Sequence, residues 1–446
     1  MNSGRTAAPR TIHLGLGAFH RAHQAFYTHR AEQQTGTETG IHGFTGRKPD
    51  AAETLAAQGF RYTLIERGAD GDRFEPIDTI SRASAGADLD AWRQAWQVPD
   101  LQLITLTITE AGYRIGEDDL AALQAGRPES AMARILDGLQ TRRRNDLGPI
   151  AVVSCDNLAD NGSVLGGRVR SLAERWDPEL AAWIDDGISF PGTMVDRITP
   201  ATTDADRELA TGWLRSHGEA DAVDRMPVVC EPFTEWVIAG DFPAGRPAWE
   251  QVGVTIVDDV APYEQRKLWL LNAGHSMLAY VGLARGVRTI DQAMQDVVCT
   301  ELLEELWAGA AEVLPFDDSE IDAAKQALRD RFTNPRIAHN LAQIAGDGSQ
   351  KLPNRSLGIY RARRDAGLPL GTAIPATLAG WLIHLGTDLV NDQGVADLLI
   401  RFKEAGADTP IRQIPVMLAF FGSDVGDDHE LAAAIEKQLG QLTRGA

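Results

Sequence analysis

The chain is 446 residues long, with 43% hydrophobic and 24% charged residues, which is the composition of a folded globular protein. This length is more than one ordinary hydrophobic core accommodates, and it predicts two domains. The formal net charge of −20 argues against extended binding to nucleic acid or to an anionic membrane, because both are driven by basic surfaces. A small anionic ligand needs only a few local cations and stays compatible with this charge.

The cysteines indicate the compartment. Cys155, Cys230 and Cys299 are far apart and odd in number, which is typical neither of a disulfide framework nor of a zinc ribbon. The N-terminal segment has no apolar run ahead of the first predicted strand, and no stretch reaches the roughly 18 to 20 apolar residues of a membrane span. We therefore expect a soluble, cytoplasmic protein that does not bind membranes.

The first half of the chain alternates between strand-like and helix-like segments. Residues 11–30 are typical of a strand, a glycine turn and a helix, and further strands are predicted over 40–48, 101–109 and 149–157. Helical stretches rich in Ala, Leu, Asp and Glu separate these strands. Strands that alternate with helices predict a parallel, doubly wound α/β sheet of the Rossmann type.

The composition changes after a last strand-like segment over 252–259. From Pro262 onward the chain is rich in Leu and Ala, follows a helical period and has few β-branched runs. We therefore predict a dinucleotide-binding Rossmann-type domain over 1–258, followed by a mostly α-helical substrate-binding and catalytic domain over 259–446.

The turn after the first predicted strand contains Gly15 and Gly17. In a Rossmann fold the first such glycine makes the tight turn, and the second lets the backbone approach a pyrophosphate at a helix N-terminus. His20 stands where the usual fingerprint has a third glycine. By itself, the pair is therefore also compatible with an ordinary strand-to-helix turn.

The end of the second predicted strand bears on the choice between NAD and NADP. A Rossmann fold that selects NAD usually places Asp or Glu there, to bind the ribose 2′-hydroxyl. This chain has Arg47 and Lys48 at that point, and Asp50 follows late. The two cations would tolerate a 2′-phosphate, or they are simply solvated loop residues. We predict NAD and leave the use of NADP open.

A group of polar residues, Glu264, Lys267, Asn272 and His275, opens the predicted helical domain. At about 100° per residue, all four fall within one arc of a helix that could face the cofactor across an interdomain cleft. A desolvated lysine can remove a hydroxyl proton as hydride leaves carbon, and an amide N–H can stabilise the resulting alkoxide. The same residues are also typical of a surface lysine, a helical asparagine and a buried core histidine.

Other chemistries have less support. His20, His23 and His29 recur along one predicted helix, but no Cys, Asp or Glu ligand set accompanies them at metal-binding spacing. We interpret them as residues that pack the helix and lie near the cofactor, and we predict no metal. The sequence has no G-x-S-x-G elbow and no P-loop lysine, so no motif supports a hydrolase or a kinase.

Several longer motifs, taken in order, resemble the polyol-specific long-chain dehydrogenases, a family that includes mannitol 2-dehydrogenase, fructuronate reductase and tagaturonate reductase. These motifs are GLGAFHRAHQ (15–24), TLTITEAGY (105–113), VVSCDN (152–157), FPGTMVDRITP (190–200), Lys267-x4-Asn272-x2-His275 and DGSQKLP (347–353). Together they cover most of the chain. The resemblance implies a metal-independent oxidoreductase with a Rossmann-type domain followed by a helical domain.

The resemblance also implies roles for individual residues. Lys267 would be the general acid/base, and Asn157 with Asn272 would form an oxyanion-stabilising pair. His275 would position the substrate, and Glu264 would assist proton passage to solvent. The residues expected to bind the cofactor lie in the matching motifs and at the end of the second strand: Gly15, Gly17, Phe19, His20, Arg47, Thr109 and Asp196.

The substrate depends on the segment 334–355, which most resembles the fructuronate reductase branch. Lys351 and Arg355 suit the carboxylate of a keto-uronate, although a surface ion pair would explain both residues as well. His339 is a third candidate for substrate binding. The leading hypothesis is interconversion of D-mannonate and D-fructuronate with NAD(H), and the alternative keeps the mechanism but acts on D-mannitol and D-fructose or another polyol.

A third hypothesis is a catalytically silent protein that senses a sugar or a dinucleotide. The presence of Lys267, Asn272 and His275 argues against it, because a sensor needs no proton-transfer lysine. In each case we expect a small-molecule ligand, no nucleic-acid or membrane partner, and a monomer or small homo-oligomer.

Overall fold

The computed structural model describes residues 8–46, 48–337 and 339–443. The predicted cofactor residue Arg47 lies outside the described residues. The chain divides into two compact units, Met1–Ala261 and Pro262–Ala446. Along the described residues, none of the helices has the length and apolar character needed to cross a membrane.

Strands form the centre of the first unit. In chain order they are β1 (Thr11–Leu14), β2 (Ile41–Phe44), β3 (Tyr62–Gly68), β4 (Gly71–Ile77), β5 (Ile80–Ser84), β6 (Leu103–Leu106), β7 (Ala151–Ser154), β8 (Gly192–Asp196), β9 (Val228–Cys230), β10 (Glu235–Ala239) and β11 (Thr255–Val257).

The main sheet has the order β5-β2-β1-β6-β7, and every neighbouring pair in it is parallel. A parallel bridge between Ala151 and Ser189 continues the sheet beyond β7. This is the strand order of a doubly wound Rossmann fold, in which the direction of winding reverses between β1 and β6. Ligands of such folds bind at that switch point, beyond the carboxyl ends of the strands.

Helices pack around the strands of this unit. In chain order they are α1 (Ala18–Ala22), α2 (Gln24–Thr35), α3 (Asp50–Ala57), α4 (Leu89–Trp96), α5 (Asp119–Gln124), α6 (Ala131–Arg144), α7 (Asn161–Trp176), α8 (Pro178–Gly187) and α9 (Asp204–Ser216), with 3₁₀ turns at Glu110–Tyr113 and Trp249–Val252.

Local sequence explains these elements. The central strands β6 (LITL) and β7 (AVVS) are buried along their whole length, as expected for parallel strands with helices on both faces. Helix α8 begins where the Asp177 side chain accepts hydrogen bonds from the backbone amides of Glu179 and Leu180, with proline at its first position. Helix α9 begins with a capping box between Thr203 and Asp206.

The hairpin of β3 and β4 was not predicted from the sequence. These strands pair antiparallel, and β3 also pairs in parallel with β9, more than 160 residues later in the register Leu64–Val228. The strand β4 (GDRFEPI) carries three charged residues and Pro76, which weaken the alternating apolar signal of a strand. Its pairing is therefore decided by distant contacts rather than by local propensity.

The second unit is helical. Its elements are α10 (Ala261–Arg266), a π-helical turn (Lys267–Asn272), α11 (Ala273–Ala284), α12 (Ile290–Ala293), α13 (Val297–Ala311), α14 (Asp318–Phe332), α15 (Leu341–Ile344), α16 (Gly348–Lys351), α17 (Ser356–Asp365), α18 (Ala373–Leu385), a 3₁₀ turn (Gln393–Val395), α19 (Ala396–Glu404), α20 (Pro410–Phe421), α21 (Ser423–Gly426) and α22 (His429–Leu442).

Helices α11 and α18 pack against each other at the centre of this unit. Gly380 lies so close to Tyr280 that a Cβ at position 380 would stand 2.8 Å from the Tyr280 carbonyl carbon. The side chains of Trp307 and Trp381 are fully buried beside them. The predicted fold class, a Rossmann-type domain followed by a helical domain, is confirmed.

Candidate active site

The glycine turn lies at the switch point of the main sheet. Gly15 has a φ of +110°, and a Cβ there would stand 2.0 Å from the carbonyl oxygen of Thr107, which follows β6. Glycine is therefore required at position 15 both by backbone conformation and by close approach. Gly17 is exposed, and a Cβ there would meet only the Gly15 carbonyl oxygen, at 3.6 Å.

This turn fits a dinucleotide phosphate. The first helical hydrogen bond runs from the Arg21 amide to the Gly17 carbonyl at 3.4 Å, so the amides of Ala18, Phe19 and His20 precede the helical ladder. Amides of this kind, next to an exposed glycine at the switch point, are the groups that hold a pyrophosphate in Rossmann folds.

A buried histidine supports the turn from below. His13 Nε2 lies 3.1 Å from the Gly15 carbonyl oxygen, and His13 Nδ1 lies 2.8 Å from Thr105 Oγ1. Because a carbonyl oxygen only accepts, Nε2 carries the proton and Nδ1 accepts from the threonine hydroxyl. Thr107 Oγ1 also donates to the Gly15 carbonyl, at 2.8 Å. The conformation of the glycine turn is thus fixed by side chains of β1 and of the segment around β6.

The ring of His20 stacks on this histidine, with centroids 3.3 Å apart and an angle of 11° between the planes. Burial lowers the pKa of His13 to about 3, and burial together with the neighbouring His13 also lowers the pKa of His20. Both rings are therefore neutral at physiological pH. The pair supports the turn, while the His20 side chain itself is fully buried.

The end of β2 carries no buried acidic residue. Lys48 is exposed, and Asp50 is exposed as the first residue of α3. Thr45, directly after the strand, accepts a hydrogen bond on its hydroxyl from the Gly86 amide at 3.0 Å.

The loops after β6 and β7 are joined by Asp156. Its carboxylate accepts hydrogen bonds from the amides of Ile108 (3.0 Å) and Thr109 (2.9 Å) and from the Tyr113 hydroxyl (2.7 Å). Thr109 and Asn157 are both exposed on these loops. Asp156 was not predicted as a site residue, although an acidic residue at the carboxyl end of a central strand is a signal that the sequence contains.

Asp196 ends β8, which belongs to a three-stranded sheet of order β11-β10-β8. Its side chain is buried, and the residue pairs in register with Glu235 of β10. The expected cofactor-side role of Asp196 stays a prediction.

In the second unit, Lys267 and Asn272 are the first and last residues of the π-helical turn. The Ala273 amide donates to the Leu268 carbonyl, five residues back, which is the hydrogen bond that defines a π-helix. The sequence predicts an ordinary α-helix here, in which residues five apart point in different directions. In a π-helical turn they lie one turn apart on the same face, so the turn aligns Lys267 with Asn272.

Two side chains satisfy carbonyl groups of the π-helical turn. Trp307 Nε1 donates to the Leu270 carbonyl at 2.9 Å. Arg355 Nη1 donates to the Asn272 carbonyl at 3.0 Å and to Ser276 Oγ at 2.9 Å. These bonds come from α13 and from the start of α17, so distant parts of the unit stabilise the unusual helix. Single turns of π-helix occur frequently at functional sites.

The four polar residues predicted on and around the π-helical turn are similarly exposed to solvent. Glu264, Lys267, Asn272 and His275 are all half-buried, whereas the intervening residues from Trp269 to Leu271 are buried. The group therefore faces the boundary between core and solvent, where a side chain can exchange protons and still be partly desolvated.

His339 lies beside His275. The two ring centroids are 5.8 Å apart in an edge-on arrangement, and His275 also stacks on Phe332 at 4.6 Å. Burial, together with the nearby Arg331 guanidinium, lowers the pKa of His339. A neutral His339 can both donate and accept hydrogen bonds, as binding of a sugar hydroxyl requires.

Lys351 and Arg355 lie close together at the end of α16 and the start of α17. Burial and the Arg355 charge lower the pKa of Lys351, and burial lowers the pKa of Arg355 to about 10. Lys351 Nζ donates to the backbone carbonyls of Gly346 (2.6 Å) and Ile344 (3.4 Å). Both cations thus have structural bonds, in addition to any bond with a ligand.

The histidines near the start of the chain each contact a different partner. His23 Nε2 donates to the Glu235 carbonyl at 3.0 Å, and His29 contacts Asp78 at 3.1 Å, while His20 stacks on His13. Across the described ranges, no three His, Cys, Asp or Glu side chains form a group that could hold a metal ion.

The first unit has a cavity of about 450 Å³ that lies away from the candidate site residues. It is bounded by the end of α3, the start of β3 and the segment 219–225, and none of the predicted site residues that the structure describes lines it. The candidate site is therefore defined by side-chain geometry at the switch point and on the π-helical turn.

Comparison with known proteins decides the family. The model of the mannitol dehydrogenase Rossmann domain matches residues 9–251, and the model of the mannitol dehydrogenase C-terminal domain matches residues 259–443. The chain belongs to the mannitol dehydrogenase family. It is accordingly an oxidoreductase, and the resemblance inferred from its motifs is confirmed.

Individual relatives of the family match over most of their length. D-mannonate oxidoreductase of Escherichia coli (strain K12) is 34% identical over 98% of this chain and 94% of its own. Mannitol 2-dehydrogenase of Cereibacter sphaeroides is 37% identical over 84% and 80%. The Pseudomonas fluorescens mannitol 2-dehydrogenase, solved as a ternary complex with NAD and D-mannitol, is 32% identical, covers 99% and 93%, and has a TM-score of 0.77.

Within this family assignment, the predicted residues form two groups, one in each unit. Gly15, Gly17, Phe19, His20, Thr109 and Asn157 belong to the turn and loops at the carboxyl ends of β1, β6 and β7. In the second unit, the residues on and around the π-helical turn are Glu264, Lys267, Asn272, His275, His339, Lys351 and Arg355. The individual roles of these residues stay predictions.

Proposed function

We propose that the chain interconverts D-mannonate and D-fructuronate with NAD(H), with Lys267 as the general acid/base. The observation that carries this proposal is the π-helical turn, which brings Lys267 and Asn272 onto one half-buried face. A proton donor and an oxyanion donor on one face are what the reduction of a ketone to a secondary alcohol requires.

Each proposed catalytic residue has a separate role in ketone reduction. A bound nicotinamide supplies the hydride to the carbonyl carbon. The Lys267 ammonium donates a proton to the carbonyl oxygen, and in the oxidative direction its amine removes the hydroxyl proton. The side-chain amides of Asn272 and Asn157 donate hydrogen bonds to the developing oxyanion. Glu264, three residues before Lys267 on the helix, passes the proton between the lysine and solvent.

We propose NAD as the cofactor. The Gly15–Gly17 turn at the switch point supports a dinucleotide, and the Pseudomonas fluorescens relative was solved with NAD. Phe19 and Thr109 flank the same switch point, and Asp196 is proposed on the cofactor side. NADP is the alternative, because Lys48 is exposed near the end of β2 and no acidic residue ends that strand.

The positive charges of Lys351 and Arg355 support a substrate that carries a carboxylate. Lys351 and Arg355 repel each other, and this repulsion contributes to the lowered pKa of Lys351. An anionic group bound by both would relieve the repulsion. The 34% identity to D-mannonate oxidoreductase, over nearly the full length of both chains, points the same way. His339 is proposed to bind a hydroxyl of the sugar acid.

D-mannitol and D-fructose form the second candidate pair. Lys351 donates to two backbone carbonyls, and Arg355 donates to a third and to a serine hydroxyl. If these bonds are the whole purpose of the two cations, a neutral polyol suits the site equally well. The relative from Cereibacter sphaeroides, a mannitol 2-dehydrogenase, matches this alternative.

The deciding experiment follows the absorbance of NADH with D-fructuronate and D-fructose in parallel at matched concentrations. The proposal predicts a clearly higher kcat/KM for D-fructuronate. A higher value for D-fructose would reject the uronate and leave the lysine chemistry in place. Turnover of neither substrate, with NADH still bound, would contradict both candidates.

A further inference from the structure

Thr109 has a backbone conformation that is otherwise nearly confined to glycine. Its φ is +63° and its ψ is 163°, in a region that side chains bearing a Cβ avoid. Asp160 and Asp347 also have positive φ, but their ψ values of 41° and 36° place them in the left-handed helical region that aspartate tolerates. A β-branched residue at positive φ is a true outlier.

Such a conformation persists only where neighbouring groups determine it. Here the neighbour is the carboxylate of Asp156, which follows β7. One of its oxygens accepts from the Thr109 amide at 2.9 Å, and the other accepts from the Ile108 amide at 3.0 Å and the Tyr113 hydroxyl at 2.7 Å. Two consecutive amides are therefore turned toward one carboxylate.

Asp156 is itself held in place. The Asn161 side chain donates to the Asp156 carbonyl at 3.1 Å and to the Thr193 carbonyl at 2.8 Å, and it accepts from the Thr193 amide at 2.9 Å. Asn161 is fully buried. The carboxylate thus connects the rigid end of β7 to the strained loop after β6.

We infer that Asp156 is a positioning residue, which holds Thr109 in its strained conformation and fixes the β6 loop relative to Asn157. Asp156 does not touch the reacting atoms and acts through Thr109. The inference rests on the proposed function, since the β6 loop and Asn157 matter here as cofactor-side and oxyanion-side groups. The hydrogen bonds from Ile108 and Thr109 to Asp156 keep the β6 loop in one conformation before the cofactor binds.

The first test is a double-mutant cycle of Asp156→Asn and Thr109→Gly. Asparagine has one acceptor oxygen in place of two, so it cannot accept from both amides through separate oxygens, and Thr109 is expected to relax. We expect Asp156→Asn to weaken NADH binding and lower kcat/KM by about tenfold or more. Glycine adopts the required φ without steric cost, so the double variant should recover part of this loss relative to Asp156→Asn alone.

Tyr113→Phe is the matched control, because it removes one donor to the same carboxylate and leaves both amide bonds intact. It should change NADH affinity much less than Asp156→Asn. Strictly additive effects of Asp156→Asn and Thr109→Gly would overturn the inference. If the wild-type chain fails to bind NADH at all, the proposed function fails first, so the two failures are distinguishable.

Thermal unfolding gives a second test that does not depend on Asp156→Asn folding. Thr109→Gly releases strain and should raise Tm, whereas Thr37→Gly, in an exposed loop without positive φ, should lower it. Equal decreases in Tm for both variants would show that Thr109 is not strained and would overturn the inference.

Discussion

The Arg355 guanidinium donates a hydrogen bond to the backbone carbonyl of Asn272, the last residue of the π-helical turn, at 3.0 Å. The same nitrogen donates to Ser276 Oγ at 2.9 Å. Arg355 thus spans the junction between the π-helical turn and α11. It stabilises the backbone that presents the Asn272 side chain, whichever substrate the site binds.

This contact predicts the effect of Arg355→Lys. Lysine keeps the charge but lacks the planar guanidinium, whose Nη1 donates both to the carbonyl and to the hydroxyl. We expect kcat to fall with D-fructuronate and with D-fructose alike, by about tenfold to a hundredfold, because the oxyanion donor is displaced. Steady-state kinetics with both substrates measure this.

Two further variants separate the roles of the cations. Arg364→Lys, on the exposed side of the same helix, is the control and should leave both rates unchanged. Lys351→Met should raise KM for D-fructuronate while leaving KM for D-fructose nearly constant, since only the first carries a carboxylate. An equal rise for both substrates would remove Lys351 from carboxylate binding.

Lys267→Ala should abolish turnover and leave NADH binding intact. General acid/base catalysis contributes roughly 10² to 10⁴ in rate, so kcat should fall by at least that factor. Fluorescence titration with NADH measures binding independently of turnover. The control is Lys437→Ala, which removes an exposed lysine of the same unit. A Lys267→Ala protein with nearly wild-type kcat would contradict the assigned role.

The predicted metal independence is tested by chelation. Extended dialysis of the protein against EDTA should leave kcat unchanged, because Lys267 and the asparagine amides are proposed to act on the substrate oxygen where a metal ion would otherwise act as a Lewis acid. Loss of activity that zinc restores would refute the prediction.

The two units differ in how far their sequence determines their structure. β6 and β7 are short, mainly apolar segments, so their composition predicted buried strands, and Gly15 marked the turn after β1 at the switch point. The π-helical turn was not predicted, because the segment KLWLLN contains no residue that disfavours an α-helix. Its hydrogen bonds depend on Trp307 and Arg355, which follow 37 and 83 residues later.

The strain at Thr109 could not be predicted for the same reason. Its local sequence resembles an ordinary strand end, and the conformation depends on Asp156, which lies 47 residues later in the chain. Functional geometry in this chain therefore arises where distant side chains override local preference.

Gly15→Ala should destabilise the first unit. The new Cβ would stand 2.0 Å from the Thr107 carbonyl oxygen, and alanine avoids a φ of +110°. We expect a loss of free energy of unfolding on the order of 3 kcal/mol, together with weaker NADH binding. Gly167→Ala, at an exposed helical position with open space around it, is the control and should be neutral or stabilising. Chemical unfolding of both variants provides the comparison.

The buried histidine beneath the glycine turn predicts how stability depends on pH. Burial lowers the pKa of His13 to about 3, against an ordinary value of 6.5 in the unfolded chain. Between these two values the unfolded state binds more protons than the folded state, so the free energy of unfolding rises with pH. The contribution of His13 is complete above pH 6.5 and is lost as the pH falls toward 3. The slope from one such group is at most about 1.4 kcal/mol per pH unit.

His13→Gln should therefore lower stability near neutral pH and flatten its decline in acid. His20, with a pKa lowered in the same direction, and His42, with a pKa of about 4, keep part of the slope in the variant. The control is His429→Gln, which replaces an exposed histidine and should reproduce the wild-type curve. Urea unfolding at a series of pH values from about 7 to about 5 measures the three slopes. Parallel curves for wild type and His13→Gln would mean that the pKa of His13 is not lowered in the folded protein, and the neutral, buried state assigned to this ring would then be wrong.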